Sequence, residues 1–427
     1  MDYTKFFAKI TSRRRTNLIR RLTELHQMRP NSISLAGGMP NVATFPITDI
    51  SVTYKHDISL QFDKRELSTA LQYGAAQGYK PLIEKWKEFQ KAWHEPKRND
   101  WDVVMTCGSM DGCTKILEMM IEENDPVMIQ TPLYSGIIGA LAPLLPDVIE
   151  INQDADGIIP EEIIKECEQR LVDNKPMPKL LYVNPTGMNP TGSVLSESRR
   201  RKVYKLAQKY DFLIVEDDPY YFVHFLDKQP TSFFSLDVDG RVIRLDSFSK
   251  IVSAGMRIGI VTAHKDITSK LVLHMENSVL LASTFSQMFL YKLFEIWGLE
   301  KFEEHFKDIQ NFYRERRDTM LAMVEKHLTG LAEWYVPQGG MFLWIEVTAI
   351  DNVFDFVMNK CVPEDVFLVS GNAFNYNPSK PDCHLRLSYS CITPEQMDKA
   401  LSIIAKLIRE EIAKKDDNKK CTPRKVT

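Results

Sequence analysis

Short apolar runs alternate with segments of helical periodicity between about residue 60 and residue 300. The clearest runs lie at 127–129, 180–183, 212–215 and 258–261. None of them alternates polar with apolar positions, which is typical of strands buried on both faces of a mostly parallel sheet. The segments 111–123 and 196–210 have the spacing of helices. The pattern predicts an α/β fold, in which ligand-binding groups gather at the carboxyl ends of the strands.

The pattern changes after about residue 299, which predicts a second and smaller α+β domain. A long polar helix pattern over 302–327 precedes strand-like runs at 341–347, 366–370 and 384–390, and an amphipathic helix pattern covers 394–413. We therefore expect a large domain over 46–300 and a small domain over 301–413. Residues 1–45 are expected to form an N-terminal arm and part of the small domain. The charged segment 414–427 lacks apolar anchors and predicts a disordered tail.

Composition and charge exclude several classes of protein. Of the 427 residues, 44% are hydrophobic and 26% charged, and the formal net charge is −3. This balance gives no indication of nucleic acid or a membrane surface as a partner, and no apolar run is long enough to span a bilayer. The seven cysteines include no CxxC pair. An odd number of unpatterned cysteines indicates free thiols in a reducing compartment rather than a secreted disulfide framework, and no metal site is predicted.

The N-terminus is strongly basic and has two interpretations. Seven Lys or Arg residues and a single acid, Asp2, precede Thr23. Such an Arg-rich, acid-poor start is typical of a mitochondrial presequence. The alternative is a basic arm that folds onto the protein. The expected location is therefore mitochondrial or cytoplasmic, with the basic N-terminus favouring mitochondria.

The segment that ends at Lys250 carries the most specific chemistry. A strand-like run at 241–245 leads into Ser247-Phe248-Ser249-Lys250, and Arg257 follows seven residues later. A lysine amine forms an imine with a carbonyl when its pKa is low enough to leave it neutral. The hydroxyls and the arginine suit a phosphate, and pyridoxal phosphate carries both an aldehyde and a phosphate. Taken alone, the segment favours a surface lysine in a polar loop, and only the segments around it overturn that interpretation.

Four other segments, each at a predicted strand end, favour the cofactor site. Small residues at 106–112 before a helix expose backbone N–H groups to an anion, although most such segments only cap helices. Asn189, in a turn with Pro190 and Gly192, offers its amide to an aromatic hydroxyl. Asp217 at the end of a buried strand needs a cationic partner, and a protonated pyridine nitrogen is one. Arg386, within an apolar strand, suits a substrate carboxylate, with a structural ion pair as the alternative.

The order of these motifs resembles a known family. N-P-T-G at 189–192, E-D-D-P-Y-Y at 216–221, D-S-F-S-K at 246–250 and R-I-G at 257–259 resemble the class I/II aminotransferases of PLP fold type I. The segments 70–73, 332–334 and 340–344 resemble the kynurenine/2-aminoadipate aminotransferases more narrowly. The resemblance implies a large domain with a mostly parallel central sheet, a smaller α+β domain, and pyridoxal 5′-phosphate as cofactor.

The resemblance also implies a role for each site residue. Lys250 forms the imine with the cofactor and moves the proton, Asp217 pairs with the pyridine nitrogen, and Tyr134 stacks on the ring. Asn189 and Tyr220 contact the ring hydroxyl. The phosphate is bound by Ser109, Met110, Ser247, Ser249 and Arg257, and by Tyr73 from the second subunit of a homodimer. Arg386 and Asn189 hold the substrate carboxylate, with Gly38 and Arg20 as further substrate contacts. Relatives often have glutamine where Met110 stands, so only its N–H is expected to bind phosphate.

The resemblance implies transamination between an L-amino acid and a 2-oxo acid, with 2-oxoglutarate as the expected acceptor, by a ping-pong mechanism. Kynurenine, 2-aminoadipate, methionine and aromatic donors stay open at this point, because a guanidinium reads the α-carboxylate that they share. Two other functions also stay open. One is C–S β-elimination on the same scaffold, and the other is a ligand-sensing regulator, which would need a DNA-binding module that the roughly 30 residues before Ser34 do not provide.

Overall fold

The computed structural model of the protein describes residues 1–29, 31–55 and 58–420, with the side chains at 20, 23, 24, 27 and 416–420 outside the description. Its strands are β1 (Ser51–Tyr54), β2 (Ile58–Gln61), β3 (Trp101–Thr106), β4 (Pro126–Thr131), β5 (Asp147–Asp154), β6 (Gly157–Ile158), β7 (Leu180–Val183), β8 (Leu213–Asp217), β9 (Val242–Ser247), β10 (Gly259–His264), β11 (Glu333–Trp334), β12 (Phe342–Glu346), β13 (Val369–Ser370) and β14 (His384–Ser388). β1 and β2 pair with each other, β3 to β10 form an eight-stranded central sheet, and β11 to β14 form a second sheet.

The helices surround these sheets and occupy most of the predicted positions. They are α1 (Lys9–Arg13), α2 (Leu18–Gln27), α3 (Lys64–Leu71), α4 (Lys80–His94), α5 (Ser109–Met120), α6 (Ser135–Leu141), α7 (Pro160–Val172), α8 (Glu197–Tyr210), α9 (Phe233–Leu236), α10 (Lys265–Glu276), α11 (Thr284–Leu328), α12 (Val353–Phe356) and α13 (Pro394–Lys420). In the part of the chain that the structure describes, no helix is both long and apolar enough to cross a bilayer.

The central sheet is mostly parallel, as predicted. Its order is β3-β10-β9-β8-β7-β4-β5-β6, and the pairs from β9 to β5 are all parallel. β10 runs antiparallel to both β9 and β3, so β3 points the same way as the parallel strands. Every residue of β4, β7, β8 and β9 is buried. Their continuous apolar runs therefore reflect a sheet that is covered on both faces.

Alternation along each strand divides the large core into two layers. On β8, Leu213 and Val215 face one hydrophobic cluster, and Ile214 faces the other. The first layer is completed by α5, α6 and α10, and the second by α4, α7 and α8. Because successive side chains point to opposite faces, each strand contributes to both layers. The face toward α5 is the one on which the predicted site residues lie.

The second sheet is antiparallel, in the order β11-β12-β14-β13, and packs against α13 and the end of α11. This arrangement is the α+β unit predicted for the C-terminal part. The helix α11 reaches both units and is interrupted at Gly298, whose backbone has φ 57 and ψ −169. The predicted division at residue 300 lies next to this break, and the division into domains stays a prediction. α13 continues to Lys420, so the segment predicted as a tail from 414 starts as helix, while 421–427 lie outside the described residues.

The basic N-terminus folds onto the central sheet unit. Tyr3, Phe6 and Thr11 are buried, and the Tyr3 hydroxyl donates to the carbonyl of Gly240 at 2.7 Å. The backbone N–H of Ala8 donates to the carbonyl of Met119, at the end of α5, at 2.7 Å. Of the two interpretations of this segment, the structure matches the arm that packs onto the protein. Cleavage after residue 11 would remove side chains from the core.

Candidate active site

Five loops bring the predicted site residues to one edge of the central sheet. The carboxyl ends of β3, β4, β7, β8 and β9 lie at this edge because these strands share one direction. β10 runs the opposite way, so its first residue, Gly259, lies level with Thr106 at the end of β3 and Ser247 at the end of β9. The residues at or directly beyond this edge are Ser109, Met110, Tyr134, Asn189, Asp217, Tyr220, Ser247, Ser249, Lys250 and Arg257.

The start of α5 and Arg257 form an anion-binding corner. The residue that precedes α5 is Gly108, with φ 98 and no side-chain cap, so first-turn N–H groups stay available at the positive end of the helix dipole. Arg257 Nη1 donates to Ser249 Oγ at 3.3 Å. A Cβ on Gly108 would lie 2.2 Å from Arg257 Nη2, so only glycine permits this approach. The Met110 side chain packs against the core, which leaves its backbone N–H as the group for a phosphate.

Asp217 is buried with one oxygen satisfied and the other open. Its Oδ2 accepts a hydrogen bond from the hydroxyl of Tyr182 at 2.6 Å, and its backbone carbonyl accepts one from Asn184 Nδ2 at 2.6 Å. Its Oδ1 is buried and has no hydrogen-bond partner among the described residues. Burial raises the pKa of Asp217 to about 6, against the opposing effect of the Tyr182 hydrogen bond. An unpaired buried carboxylate oxygen of this kind calls for a cationic donor.

The neighbouring acids of the E-D-D sequence serve a different purpose. Glu216 and Asp218 point to the opposite face of the sheet from Asp217, where both lie near Arg244 Nη1, at 3.2 and 3.3 Å. Arg244 Nη2 also pairs with Asp246 at 2.7 Å. These four side chains are buried, and a second buried cation, Arg200, lies 3.9 Å from Glu216. Two arginines compensate for two of the three acids, and burial raises the pKa of Asp218 to about 7, which favours its neutral form. Strand alternation therefore leaves Asp217 as the acid of the three that faces the site.

Lys250 lies near Tyr220 in a partly desolvated position. Its Nζ is 5.8 Å from the centroid of the Tyr220 ring. Burial, followed by the positive charge of Arg257, lowers the pKa of Lys250. Both effects favour the neutral amine, which is the form that attacks a carbonyl or accepts a proton. Among the described residues, no carboxylate pairs with Lys250 to oppose this effect.

Arg386 has the surroundings of an empty carboxylate clamp. Its Nη1 donates to Asn189 Oδ1 at 2.9 Å, and its guanidinium lies over the rings of Phe342 and Phe374, with Cζ 4.3 and 5.1 Å from their centroids. Its Nε is buried without a hydrogen-bond partner. Within the described residues no acid pairs with Arg386, which favours the substrate clamp over a structural ion pair. Burial lowers the pKa of Arg386.

Two tyrosines connect these groups. Tyr220 is buried, burial raises its pKa, and its ring centroid lies 5.8 Å from Lys250 Nζ and 6.3 Å from the ring centroid of Phe342. Tyr134 precedes α6, and a Cβ at Gly136 would lie 2.6 Å from its ring. The missing side chain at Gly136 thus leaves room for the Tyr134 ring at the edge of the sheet.

Three predicted site residues are not brought to this cluster within one chain. Tyr73 is 55% exposed, and no hydrogen bond or ring contact joins it or Gly38 to the other predicted residues in the described part of the chain. The side chain of Arg20 lies outside the described residues. Their predicted roles stay predictions.

The structure adds residues that the sequence did not single out. Tyr182 lies in an apolar strand run and is typical of core, and Asn184 lies in a turn motif where its amide has an ordinary structural explanation. Phe342 and Phe374 are distant in sequence, and both rings contact the guanidinium of Arg386. Asn184 was detectable as the first residue of the 184–192 motif. Tyr182 gave no such signal.

Comparisons with known proteins agree with this geometry. The family model "Aminotransferase class I and II" matches residues 51–404. The chain is 39% identical to the mitochondrial kynurenine/alpha-aminoadipate aminotransferase of Bos taurus, over 96% of this chain and 100% of that protein. It is similar to the crystal structure of the aminotransferase Aro8 from Candida albicans, with TM-score 0.87 and 25% identity over 97% of this chain and 99% of that one. A kynurenine aminotransferase from Pyrococcus horikoshii, solved in complex with PMP, has TM-score 0.76 and 28% identity over 96% of this chain and 98% of that one.

The side chains at this edge fit pyridoxal phosphate, the cofactor of the matched family. The open Oδ1 of Asp217 suits a protonated ring nitrogen, and the start of α5 with Arg257 suits the phosphate. The desolvated amine of Lys250 suits the aldehyde. The residues that would hold the cofactor in this chain are Ser109, Met110, Tyr134, Asn189, Asp217, Tyr220, Ser247, Ser249, Lys250 and Arg257.

Replacing Asp217 by asparagine is expected to stabilise the cofactor-free protein in a pH-dependent way. The folded pKa of about 6 lies above the ordinary 3.8, so the stability that this group contributes is present below pH 4 and lost as the pH rises through 6. At pH 8 the buried ionised carboxyl destabilises the fold by about 3 kcal/mol. Urea titrations at pH 5 and pH 8 should show a gain for Asp217→Asn that is larger at pH 8 by about 1 kcal/mol. The same change at the exposed Asp227 is the control, and an equal gain at both pH values would contradict the expectation.

Proposed function

Because the chain belongs to the class I and II aminotransferases, we propose that it transfers the amino group of kynurenine, 2-aminoadipate or an aromatic amino acid to a 2-oxo acid such as 2-oxoglutarate. The observation that carries the proposal is the partly buried guanidinium of Arg386, which donates to Asn189 and has no acidic partner among the described residues. The names of the bovine and archaeal relatives support kynurenine and aminoadipate as donors.

Pyridoxal phosphate, when bound, withdraws electrons from the α-carbon of the amino acid. Asp217 supports this by holding a negative charge at a buried position, with Oδ2 fixed by Tyr182. The start of α5 and Arg257 hold the phosphate end in place. Asp217 at one end and the start of α5 with Arg257 at the other would thus hold the cofactor, so that it keeps its position while substrates exchange.

Lys250 moves the proton at the α-carbon. Its desolvated position and the charge of Arg257 lower its pKa, which favours the neutral amine that can accept a proton. Once protonated, the same Nζ would serve as the acid that returns the proton. One side chain acts first as base and then as acid because its pKa lies nearer to the working pH than that of an exposed lysine.

Arg386 and Asn189 orient the substrates. The planar guanidinium pairs with a carboxylate through two N–H groups, and the face-on contacts with Phe342 and Phe374 keep its plane fixed. An amino acid and a 2-oxo acid both carry a carboxylate next to the reacting carbon. The same pair of residues can therefore hold the donor and then the acceptor, which supports a ping-pong order.

A panel of amino donors assayed with 2-oxoglutarate tests this proposal. We expect the highest kcat/KM for kynurenine, 2-aminoadipate or an aromatic donor, and parallel lines in double-reciprocal plots when both substrates are varied. Intersecting lines would exclude the ping-pong order. Pyruvate and ammonia formed from cysteine conjugates without any oxo acid would reveal β-elimination, and a higher kcat/KM for that reaction would overturn the proposed function.

We further propose that the enzyme is a homodimer with shared active sites. Apolar side chains in the N-terminal segment are highly exposed in the single chain, with Ile33 at 94%, Leu35 at 98% and Met28 at 76%. Exposed apolar side chains in a contiguous segment are typical of an interface. A second copy that covers this segment would also bring Tyr73 to the neighbouring site, where the resemblance places it.

Mixing two defective variants tests this arrangement. We expect Tyr73→Phe to be weakly active and Lys250→Ala to be inactive alone, and a dissociated and reassociated equal mixture to recover about a quarter of wild-type activity. Half of the dimers are then mixed, and each mixed dimer has one intact site and one site with both defects. Failure to recover activity, while gel filtration shows mixed dimers, would place Tyr73 in the site of its own chain.

The compartment proposed for the enzyme is the mitochondrion, as in the name of the bovine relative. The Arg-rich N-terminus supports this, and its buried Tyr3 and Phe6 indicate that residues 1–11 are retained in the folded enzyme. Subcellular fractionation followed by N-terminal sequencing tests both statements.

A further inference from the structure

Tyr182 is placed to control the side chain of Asp217. It is 1% exposed, and its hydroxyl donates to Asp217 Oδ2 at 2.6 Å. We propose that Tyr182 is a positioning residue of the reaction, which fixes one oxygen of Asp217 so that the other faces the ring nitrogen of the cofactor. The proposal concerns the aminotransferase reaction itself and does not depend on which donor is used.

The backbone of Asp217 is held separately, by Asn184. The Asn184 amide donates to the carbonyl of Asp217 at 2.6 Å, and Asn184 Oδ1 accepts the backbone N–H of Asn189 at 3.0 Å. Asn184 is in turn fixed by Gln130, which accepts its backbone N–H at 2.9 Å. With the backbone fixed in this way, rotation of the carboxylate is the remaining freedom of Asp217. Tyr182 provides the hydrogen bond that limits this rotation.

The phenol also acts on the charge of Asp217. The titratable groups on the same side as this carboxyl are Tyr182 from β7, Cys113 from α5 and Tyr220 after β8, while the charges of Asp246 and Arg244 on β9 act on it from the opposite face of the sheet. Burial raises the pKa of Asp217, and Asp246 adds to that increase, whereas Tyr182 and Arg244 oppose it. Burial also raises the pKa of Tyr182, so the phenol keeps the proton that it donates. Loss of this donor would favour the neutral acid, which holds a cationic ring nitrogen poorly.

The test is Tyr182→Phe in the holoenzyme, with Tyr204→Phe as a matched control. Tyr204 is also a buried tyrosine, and its hydroxyl donates to Asp237 at 3.0 Å and Asp239 at 2.6 Å, on the opposite layer of the sheet. We expect Tyr182→Phe to lower kcat by about 10-fold to 100-fold with KM for the amino acid within about threefold, as for loss of one hydrogen bond to a charged group. The control should keep the wild-type kcat even where its melting temperature falls.

Spectroscopy separates positioning from a loss of folding. In enzyme loaded with ¹⁵N-labelled pyridoxal phosphate, the ring-nitrogen resonance should move toward the neutral pyridine in Tyr182→Phe and stay unchanged in Tyr204→Phe. Incorporation of 3-fluorotyrosine at position 182, a stronger donor of the same shape, should move the resonance the opposite way. This second substitution keeps the proposal testable if Tyr182→Phe does not fold.

A double-mutant cycle identifies the route of the effect. If Tyr182 acts through Asp217, Tyr182→Phe added to Asp217→Asn should lower kcat by less than about twofold more. Multiplicative losses in the double variant would overturn the proposal, as would an unchanged ring-nitrogen resonance in both position-182 substitutions. A kcat within twofold of wild type in Tyr182→Phe would also overturn it.

Discussion

Replacing Lys250 by alanine should abolish transamination, with kcat reduced by at least about 10⁴-fold. The reason is that one amine carries out two tasks, covalent capture of the cofactor and proton transfer at the substrate carbon. Among the described residues, Lys250 is the lysine that lies near the ring of Tyr220, with its Nζ 5.8 Å from the ring centroid. Arginine at the same position would not restore activity, since a guanidinium keeps its proton at the working pH.

The measurement combines turnover with absorbance. The band of the lysine–cofactor imine should disappear together with activity, while phosphate analysis still finds cofactor bound through the α5 and Arg257 corner. Lys228→Ala, at an exposed position in the loop after Phe222, is the control and should leave both quantities unchanged. Normal activity in Lys250→Ala would contradict the central assignment.

Replacing Arg386 by lysine should reduce kcat/KM for the amino acid by about 100-fold to 1,000-fold, mainly through KM. Lysine keeps the positive charge but loses the planar pair of donors, and it cannot reproduce the face-on packing between Phe342 and Phe374. Because Asn189 already occupies one N–H of the guanidinium, the remaining donors are fixed in direction. The loss should therefore exceed that of a surface charge pair, which contributes little in water.

The preference for an amino acid over the corresponding amine tests the role of Arg386 more directly than the loss of kcat/KM does. The wild-type enzyme should strongly prefer an amino acid to the corresponding amine without a carboxylate, and Arg386→Lys should lose most of this preference. Arg199→Lys is the control, because Arg199 pairs with Asp154 near the surface and away from the cluster. If Arg386→Lys retains the preference, the carboxylate is bound elsewhere, for example by Arg20, whose side chain lies outside the described residues.

Much of the fold could be predicted from local patterns. Continuous apolar runs predicted β4, β7 and β8 because a strand buried on both faces has no polar face to show. The antiparallel direction of β10 was not predictable, since its run looks the same in either direction. The helical start of the charged segment at 414 was also missed, because its sequence lacks the apolar periodicity that indicates a helix, while its backbone continues α13 from the preceding turns.

For the site, too, some features could be predicted from the sequence and others depended on the tertiary structure. The sequence by itself determined that Lys250, Asn189, Arg257 and Asp217 lie at strand ends, and parallel strands bring such ends to one edge. The tertiary structure added the reason why Asp217 differs from its neighbours, because Glu216 and Asp218 point to Arg244 on the opposite face of the sheet.

Tertiary structure also decided the state of Arg386 and the part played by Tyr182. Whether an arginine in an apolar strand is paired or free depends on acids that are distant in sequence, and here the described residues place none beside it. Tyr182 belongs to the core pattern of β7, and its hydroxyl gains a role only because β8 places Asp217 within 2.6 Å. Periodicity and motifs fix which residues reach an edge, whereas burial and hydrogen bonding between distant segments fix what charge each one carries there.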